Sequence, residues 1–212
     1  MRKIKAFILD YDGVIAESND IKTFAFRDLF RNETEENIEK LISFHIANEG
    51  ISRIEKINYF YTKILRKEIS DDELSSLSLC FSKLVKNKVI ACKKVEGVRK
   101  FLKNNSFKYK FFISTGTPTN EMKYILEQTD MEIYFQEILG SPETKIEHIS
   151  LILKKYKYKE EELIFIGDSK TDFLAAKKYK IKFILRSHEQ NSEVASFHKG
   201  QKIKNFNELT DF

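Results

Sequence analysis

The first strand signal of the chain ends directly in a pair of aspartates. The apolar run from Ile4 to Leu9 has the β-branched and aromatic character of a buried strand, and Asp10-Tyr11-Asp12-Gly13 follows it at once. In an open α/β sheet, ligands bind beyond the carboxyl ends of the strands. Two carboxylates this close repel each other and lose hydration there, and a bound cation such as Mg²⁺ offsets that cost. The opening residues therefore predict a metal-assisted carboxylate site at the end of a buried strand.

Strand and helix signals alternate along the second half of the chain, from about residue 97. The predicted strands are Tyr109 to Ser114, Phe135 to Leu139, Leu163 to Gly167 and Ile181 to Leu185. Helices are predicted to begin at Thr117-Pro118 and at Ser141-Pro142, with Thr117 and Ser141 as caps, and another runs from Thr171 to Tyr179. This alternation predicts an α/β fold with a Rossmann-like parallel sheet as its core.

Residues from about 20 to 90 carry only helical patterns. Three apolar stripes with helical spacing run over 38–46, 54–65 and 74–85, and we expect Thr34 and Asp71 to cap the first and third of these helices. No strong strand candidate occurs among them. We therefore predict an α-helical cap of residues 16–94, inserted after the first strand of a catalytic core that consists of residues 1–15 and 95–212.

Charge and composition exclude several classes of partner. The 37 basic and 32 acidic residues are interspersed and give a net charge of +5, which is typical of solvated helix surfaces and leads us to expect no nucleic-acid partner. We find no signal peptide and no membrane-spanning run, so we expect a cytoplasmic protein without a membrane partner, as a monomer or a dimer. The two cysteines, Cys80 and Cys92, lack the spacing of a zinc site and are expected to be buried thiols.

Three further polar signals follow predicted strands. Thr115-Gly116-Thr117 places a hydroxyl beside backbone amides at the start of a helix, which is a favourable site for an anion. Lys145 lies in the first turn or so of a later helix. Gly167-Asp168 and Asp172 put a second pair of carboxylates at the same edge of the sheet. Each signal is weak alone, but their order and common position at strand ends predict one site.

Together with the first pair of aspartates, these signals resemble the four motifs of the haloacid dehalogenase (HAD) superfamily of phosphohydrolases. Asp10-Tyr11-Asp12-Gly13-Val14 resembles the first motif, Thr115 the second, Lys145 the third, and Gly167-Asp168 with Asp172 the fourth. The resemblance covers essentially the whole chain. It is closest to the subgroup with a small α-helical cap, which includes phosphoglycolate phosphatase-like and β-phosphoglucomutase-like proteins.

The resemblance implies a Mg²⁺-dependent phosphatase that hydrolyses a small phosphorylated metabolite, a sugar phosphate or a phosphorylated organic acid, through an aspartyl-phosphate. Asp10 would be the nucleophile, and Asp12 would act first as general acid and then as base. Asp10, Asp168 and the backbone carbonyl of Asp12 would hold Mg²⁺, with Asp172 supporting the metal directly or through water.

The second and third motifs would bind the phosphoryl group. Thr115, the amide of Gly116 and Lys145 would contact its oxygens, and Lys145 would also favour the ionised form of Asp10. Ser114 precedes Thr115 and is the alternative at this position; we choose Thr115 because it directly precedes Gly116-Thr117-Pro118. The chain also lacks the proline that often precedes the glycine at which such chains re-enter the core, here Gly97.

Asp12 disfavours dehalogenation, because a halide needs no proton to leave and the dehalogenases of the superfamily lack an acid there. Two other functions remain as alternatives to the phosphatase. A phosphomutase of the β-phosphoglucomutase type uses the same four motifs. A catalytically silent binding module is disfavoured, because it has no reason to keep so many costly charges together.

Candidate specificity residues lie in the cap. His45, Arg53 and Lys56 flank a break between two helical stripes at Asn48 and Gly50, and we predict that they contact a second anionic group of the substrate. The alternative is structural. His45 falls on an apolar stripe and is equally consistent with a packed core histidine, whereas Arg53 and Lys56 are equally consistent with solvated charges.

Overall fold

The computed structural model describes residues 3–209 and contains a six-stranded sheet in which all pairings are parallel. The strands are β1 (Ala6–Leu9), β2 (Lys110–Pro118), β3 (Phe135–Ser141), β4 (Leu163–Gly167), β5 (Lys182–Arg186) and β6 (Lys202–Ile203). Their spatial order is β3-β2-β1-β4-β5-β6, so the strand that carries the first aspartates lies inside the sheet. The predicted α/β fold with a parallel sheet is confirmed.

Both faces of β1 are buried, which explains its nearly continuous apolar sequence. Phe7 and Leu9 belong to one hydrophobic cluster, and Ala6 and Ile8 belong to another. Since successive side chains of a strand point to opposite faces, these clusters cover the two sides of the sheet. The ring of Phe7 stacks on Phe111 of the neighbouring strand, with ring centroids 5.7 Å apart.

The helices fall into two groups along the chain. Between β1 and β2 lie α1 (Asn19–Leu29), α2 (Glu35–Ala47), α3 (Arg53–Tyr59), a π-helical segment (Phe60–Leu65) and α4 (Asp71–Ala91). After them come α5 (Val98–Asn105), α6 (Thr119–Gln128), α7 (Lys145–Tyr156), α8 (Lys170–Lys178) and α9 (Ser192–Phe197). Short 3₁₀ turns occupy Glu132–Tyr134, Glu160–Glu162, Glu189–Asn191 and Phe206–Glu208. An antiparallel bridge between Ala16 and Lys94 brings the two ends of the first group together, and we call residues 16–94 the helical insert.

Several helix starts differ from the sequence prediction. Thr117 and Pro118 still belong to β2, and Pro118 is the N-cap of α6. Ser141 ends β3, and Thr144 caps α7 in a capping box with Glu147. At Thr144 the pattern Thr-x-x-Glu satisfies two amide groups reciprocally, and this outweighs the Ser-Pro start predicted at Ser141; α6 starts without a side-chain cap. Ser70, rather than Asp71, caps α4 by accepting a hydrogen bond from the Glu73 amide, whereas Thr34 caps α2 as predicted.

The expectation of buried thiols is wrong for Cys80, which is exposed, and Cys92 is half-buried. The buried face of α4 consists of Phe81, Val85 and Val89, and Cys80 lies outside that stripe. Within residues 3–209 no helix is long and apolar enough to cross a membrane.

Candidate active site

The sheet brings three acidic side chains to one edge. Leu9 is in register with Ile113 on one side and Ile166 on the other, and the Asp10 amide donates a hydrogen bond to the Ile166 carbonyl at 3.0 Å. The residues that follow these strands therefore emerge together. Carboxylate oxygens of Asp10, Asp168 and Asp172, all buried, lie within 4.8 Å of one another.

Lys145 is the cation of this cluster. It is the first residue of α7, and its Nζ lies 2.5 Å from Asp10 Oδ2 and 2.5 Å from Asp172 Oδ1. Burial acts against the charge of Lys145, but the two carboxylates outweigh it and raise the pKa of the ammonium. Burial also raises the pKa of Asp10 well above its ordinary value; Lys145 opposes this shift, and Asp172 and Asp168 add to it. Three carboxylates against one ammonium leave an excess of negative charge.

The other two carboxylates are held by neighbouring groups. Asp172 Oδ2 accepts hydrogen bonds from the Ser169 amide at 3.1 Å and the Ser169 hydroxyl at 2.6 Å. Asp168 Oδ2 lies 3.0 Å from Asn19 Nδ2 and 2.9 Å from His188 Nε2. Gly13 has φ of +70°, and a Cβ there would lie 1.9 Å from Asp168 Oδ2, so only glycine fits beside this carboxylate.

The cluster fits a hard divalent cation. Its donors are oxygens, which Mg²⁺ prefers, and the excess negative charge of the buried carboxylates is the kind of cost that a cation offsets. Asp10, Asp168 and Asp172 could hold the ion together, and the backbone carbonyl of Asp12 remains a predicted ligand.

Asp12 has different partners from the other aspartates. Its carboxylate forms an ion pair with Lys22 and accepts a hydrogen bond from Ser18 Oγ at 2.6 Å, and Lys22 Nζ also donates to Thr117 Oγ1 at 2.9 Å. Burial acts to raise the pKa of Asp12, but Lys22 and Ser18 outweigh it and lower the pKa. Sequence reasoning missed Lys22, because a lysine on the first helix of the insert has no pattern that distinguishes it from solvated ones.

The second motif lies at the end of β2. Ser114 Oγ is 2.9 Å from His148 Nδ1 in a buried contact with α7, so its hydroxyl is used in packing. Thr115 is buried, with its Oγ1 accepting a hydrogen bond from the Thr117 amide at 3.2 Å, and Gly116 lines the cleft described below. Neither hydroxyl lines the cleft, so the choice of Thr115 over Ser114 stays a prediction.

A cleft of about 540 Å³, including its opening to solvent, separates the sheet edge from the helical insert. Its walls are formed by groups from both parts: Asp10, Asp12, Gly116, Thr117 and Asp168 on one side, and Asn19, Lys22, Phe26, His45, Glu49, Gly50, Ile51, Arg53, Lys56 and Phe81 on the other. The insert touches the sheet edge through the loop at Gly50. Thr171 Oγ1 donates to the Glu49 carbonyl at 2.8 Å, and a Cβ at Gly50 would lie 2.0 Å from Thr171 Oγ1 and 3.0 Å from Lys145 Nζ.

The three predicted specificity residues all line this cleft, but their surroundings differ. Arg53 makes a two-pronged ion pair with Glu121 of α6, with Nη1–Oε2 and Nη2–Oε1 distances of 2.9 and 2.6 Å, and donates to Ser82 Oγ at 2.6 Å. Its guanidinium is therefore engaged by a carboxylate of the protein, which argues against the predicted contact with substrate. Lys56 Nζ lies 2.8 Å from His45 Nδ1. Sequence reasoning missed Glu121, which is distant from Arg53 in the chain.

The buried carboxyl group of Glu49 makes the stability of the folded protein depend on pH. Burial, followed by the charge of Asp168, raises the pKa of this carboxyl from 4.5 to about 8. Between these values the folded chain holds a proton that the unfolded chain releases, so this group lowers stability progressively as the pH rises from 4.5 to about 8. Glu49→Gln should therefore raise the melting temperature by at least about 2–4 °C at pH 8.5 and by almost nothing near pH 4.5. The measurement is thermal unfolding across this range beside Glu68→Gln, an exposed glutamate of the insert; a gain for Glu49→Gln that does not change with pH would contradict this explanation.

Comparisons with known proteins agree with this geometry. The model of the haloacid dehalogenase-like hydrolase family matches residues 7–186. A phosphoglycolate phosphatase of Vibrio parahaemolyticus serotype O3:K6 (strain RIMD 2210633) is 38% identical over 68 residues, and this match spans only 30% of the chain and 30% of that relative. A phosphoglycolate phosphatase of Vibrio vulnificus (strain YJ016) is 35% identical over a stretch of the same length, with the same coverage.

Solved structures show the same fold. β-Phosphoglucomutase from Clostridium difficile has a TM-score of 0.75 at 19% identity, covering 98% of this chain and 93% of that one. A mutant of CbbY from Rhodobacter sphaeroides, in complex with xylulose-(1,5)bisphosphate, has a TM-score of 0.76 at 16% identity, covering 97% and 96%.

The family match covers most of the chain, from β1 to the end of β5. The predicted family and the prediction of a hydrolase are both confirmed. The chain belongs to the haloacid dehalogenase-like hydrolase family.

Proposed function

We propose that this protein is a Mg²⁺-dependent phosphatase that acts on a small phosphorylated metabolite through an aspartyl-phosphate at Asp10. The observation that carries the proposal is the buried cluster in which Lys145 bridges Asp10 and Asp172 beside Asp168. A nucleophilic carboxylate needs a cationic environment to meet a phosphate dianion, and this cluster combines a fixed ammonium with a set of oxygens suited to Mg²⁺.

In the first step, a carboxylate oxygen of Asp10 attacks phosphorus and the bond from phosphorus to the leaving oxygen breaks. Asp12 protonates that oxygen as it leaves. Thr115, the Gly116 amide and Lys145 bind the phosphoryl oxygens, and Lys145 favours the ionised form of Asp10. When bound, Mg²⁺ supplies positive charge that offsets the repulsion between the Asp10 carboxylate and the phosphate.

In the second step, Asp12 accepts a proton from a water molecule that attacks the phosphorus of the aspartyl-phosphate. The bond between phosphorus and Asp10 breaks, and inorganic phosphate leaves. Lys22 and Ser18 hold the Asp12 carboxylate in one position and lower its pKa. They therefore favour the ionised form that accepts the proton in this second step, whereas the first step uses the protonated form. The helical insert, which forms the opposite wall of the cleft, excludes bulk water from the reaction.

The phosphatases of Vibrio named above support a phosphorylated organic acid as substrate, although the match covers 30% of each chain. A sugar phosphate is the other class that the sequence predicts. A phosphomutase is the second candidate, favoured by the similarity to β-phosphoglucomutase. The cytoplasmic location, the division into core and cap and the oligomeric state remain predictions.

The experiment that tests the proposal is phosphate release from a panel of phosphorylated metabolites and p-nitrophenyl phosphate, with Mg²⁺ and with a chelator. Metal-dependent release supports the phosphatase. Absence of release, followed by turnover when a sugar bisphosphate is added, would instead support the mutase.

Binding of Mg²⁺ should also stabilise the protein, because the ion offsets repulsion among buried carboxylates. At a concentration 100-fold above its dissociation constant, a ligand stabilises the folded state by about 2.7 kcal/mol, or about 5–10 °C in melting temperature for a chain of this size. Thermal unfolding with Mg²⁺ and with a chelator measures the effect, and NaCl at equal ionic strength is the control. An equal Mg²⁺-dependent shift in Asp168→Asn would place the ion elsewhere.

A further inference from the structure

Lys56 is a buried cation without a carboxylate partner. Its side chain is 4% exposed and lines the cleft. Among residues 3–209, the contacts of its ammonium are His45 Nδ1 at 2.8 Å and the ring of Phe26, whose centroid lies 5.9 Å away. Lysine is almost never fully buried unless it is paired, so a lysine in this position needs an explanation.

The partner of Lys56 is also incompletely satisfied. His45 is 3% exposed, and its Nε2 is buried without a hydrogen-bond partner in the described part of the chain. Burial, followed by the charges of Lys56 and Lys22, lowers the pKa of His45 well below its ordinary value, so the imidazole is neutral. Because Lys56 donates to Nδ1, we assign the single ring proton to Nε2. The pair therefore has unused N–H donors and no unused acceptor.

The other cations of the cleft are already paired. Lys22 is bound by Asp12, Lys145 by Asp10 and Asp172, and Arg53 by Glu121. Burial, followed by the repulsion of Lys22, lowers the pKa of Lys56 to about 7, although the charges of Glu49 and Asp12 oppose the shift. Neither carboxylate forms an ion pair with Lys56 in the described part of the chain. A ligand that brought negative charge to this position would favour the charged form of Lys56.

The surroundings limit the shape of such a ligand. The rings of Phe26 and Phe81 line the same wall, with centroids 4.4 Å apart, and the ring of His45 lies 5.0 Å from that of Phe26. Aromatic rings give no hydrogen-bond partners to the hydroxyl groups of a polyol chain. A short ligand whose far end is an anion matches this combination of donors and apolar wall.

We propose that Lys56 and His45 bind a second anionic group of the substrate, so that the substrate is a phosphate monoester with a carboxylate or a second phosphate at its other end. This inference rests on the proposed phosphatase function and specifies its substrate class. Lys56 and His45 contribute to substrate binding and specificity. The residues at the sheet edge carry out the chemical steps.

Matched ligands test the proposal. 2-Phosphoglycolate and ethyl phosphate differ in the carboxylate, and 1,3-propanediol bisphosphate and propyl phosphate differ in the second phosphate. The wild-type protein should have the higher kcat/KM for the member of one pair that carries the second anionic group, and the pair in which this preference appears identifies the anion. Lys56→Met should reduce that preference by about 10- to 100-fold, as expected for the loss of a charge-assisted hydrogen bond. His45→Phe, which keeps a ring against Phe26, should reduce it by less.

The control is Lys83→Met, which removes an exposed lysine from the same insert and should leave the preference unchanged. Lys56→Met should also raise the melting temperature, because methionine fills a similar volume without an unpaired charge. A lysine with a purely structural role would give the opposite shift. A preference that survives Lys56→Met, or that is absent from the wild-type protein for both pairs, would overturn the proposal.

Binding measurements separate this proposal from the proposed function. Isothermal titration of the four ligands into the Asp10→Asn variant reports the preference without turnover. If the wild-type protein hydrolyses none of the compounds but binds the ligands with the second anion more tightly, and Lys56→Met abolishes this difference, the proposed phosphatase function is rejected and the anion site is supported. If the protein hydrolyses p-nitrophenyl phosphate but shows no preference for either second anion, the phosphatase function is supported and the anion site is rejected.

Discussion

Asp10→Asn should abolish phosphate release from every substrate, with a loss of at least about 10³-fold in kcat. An amide cannot form the acyl-phosphate, and no second carboxylate of the cluster is available to replace Asp10. Asp172 is held by Ser169 and Lys145, and Asp168 by Asn19 and His188. The measurement is single-turnover phosphate release at saturating substrate.

The fold of this variant should be intact, and without metal its melting temperature should equal or exceed that of the wild-type protein. Burial raises the pKa of Asp10 well above its ordinary value, which means that the ionised carboxylate is costly in the folded state. Asparagine removes that cost, and Lys145 keeps Asp172 as a partner. Asp72→Asn, an exposed aspartate of the insert, should leave kcat unchanged. Retained turnover in Asp10→Asn would remove Asp10 as the nucleophile.

The parts of the fold that follow from local pattern were predictable. The strand ending at Leu9 has the continuous apolar sequence that is typical of a strand buried on both faces, and the alternation of strand and helix signals after residue 97 predicted the parallel connections. Asp10, Lys145, Asp168 and Asp172 could be placed at one edge because parallel strands end together. Helix starts were less predictable, since a proline signal competed with the capping box at Thr144.

The partners of the charged residues could not be predicted, because they depend on tertiary contacts. Nothing near Arg53 in the chain indicates that Glu121 lies opposite it, 68 positions away. Lys22 and Asp12 are only ten positions apart, but the residues between them carry no signal that the lysine of α1 turns back to pair with the carboxylate. A lysine, an arginine and a histidine in one stretch of the insert look alike in sequence, and only their contacts distinguish a paired cation from an unpaired one.

Arg53→Ala should lower the free energy of unfolding by about 3–5 kcal/mol, which is typical of breaking a buried ion pair. The side chains of Arg53 and Glu121 are 4% and 8% exposed, so alanine would leave the Glu121 carboxylate buried without its cation, beside the Ser82 hydroxyl. For a chain of this length the expected fall in melting temperature is about 10 °C. Since Arg53 belongs to α3 of the helical insert and Glu121 to α6, which follows β2, the variant should also weaken the contact between the insert and α6.

A double-mutant cycle separates this structural role from substrate binding. Glu121→Gln alone should also be destabilising, because it leaves the guanidinium unpaired, whereas the double variant Arg53→Met/Glu121→Met should recover most of the loss. Thermal and urea unfolding give the coupling energy. If Arg53→Ala instead left stability within about 0.5 kcal/mol of wild type and selectively raised KM for a doubly anionic substrate, Arg53 would be the anion-binding residue, and Glu121 would be its counter-ion only until substrate binds.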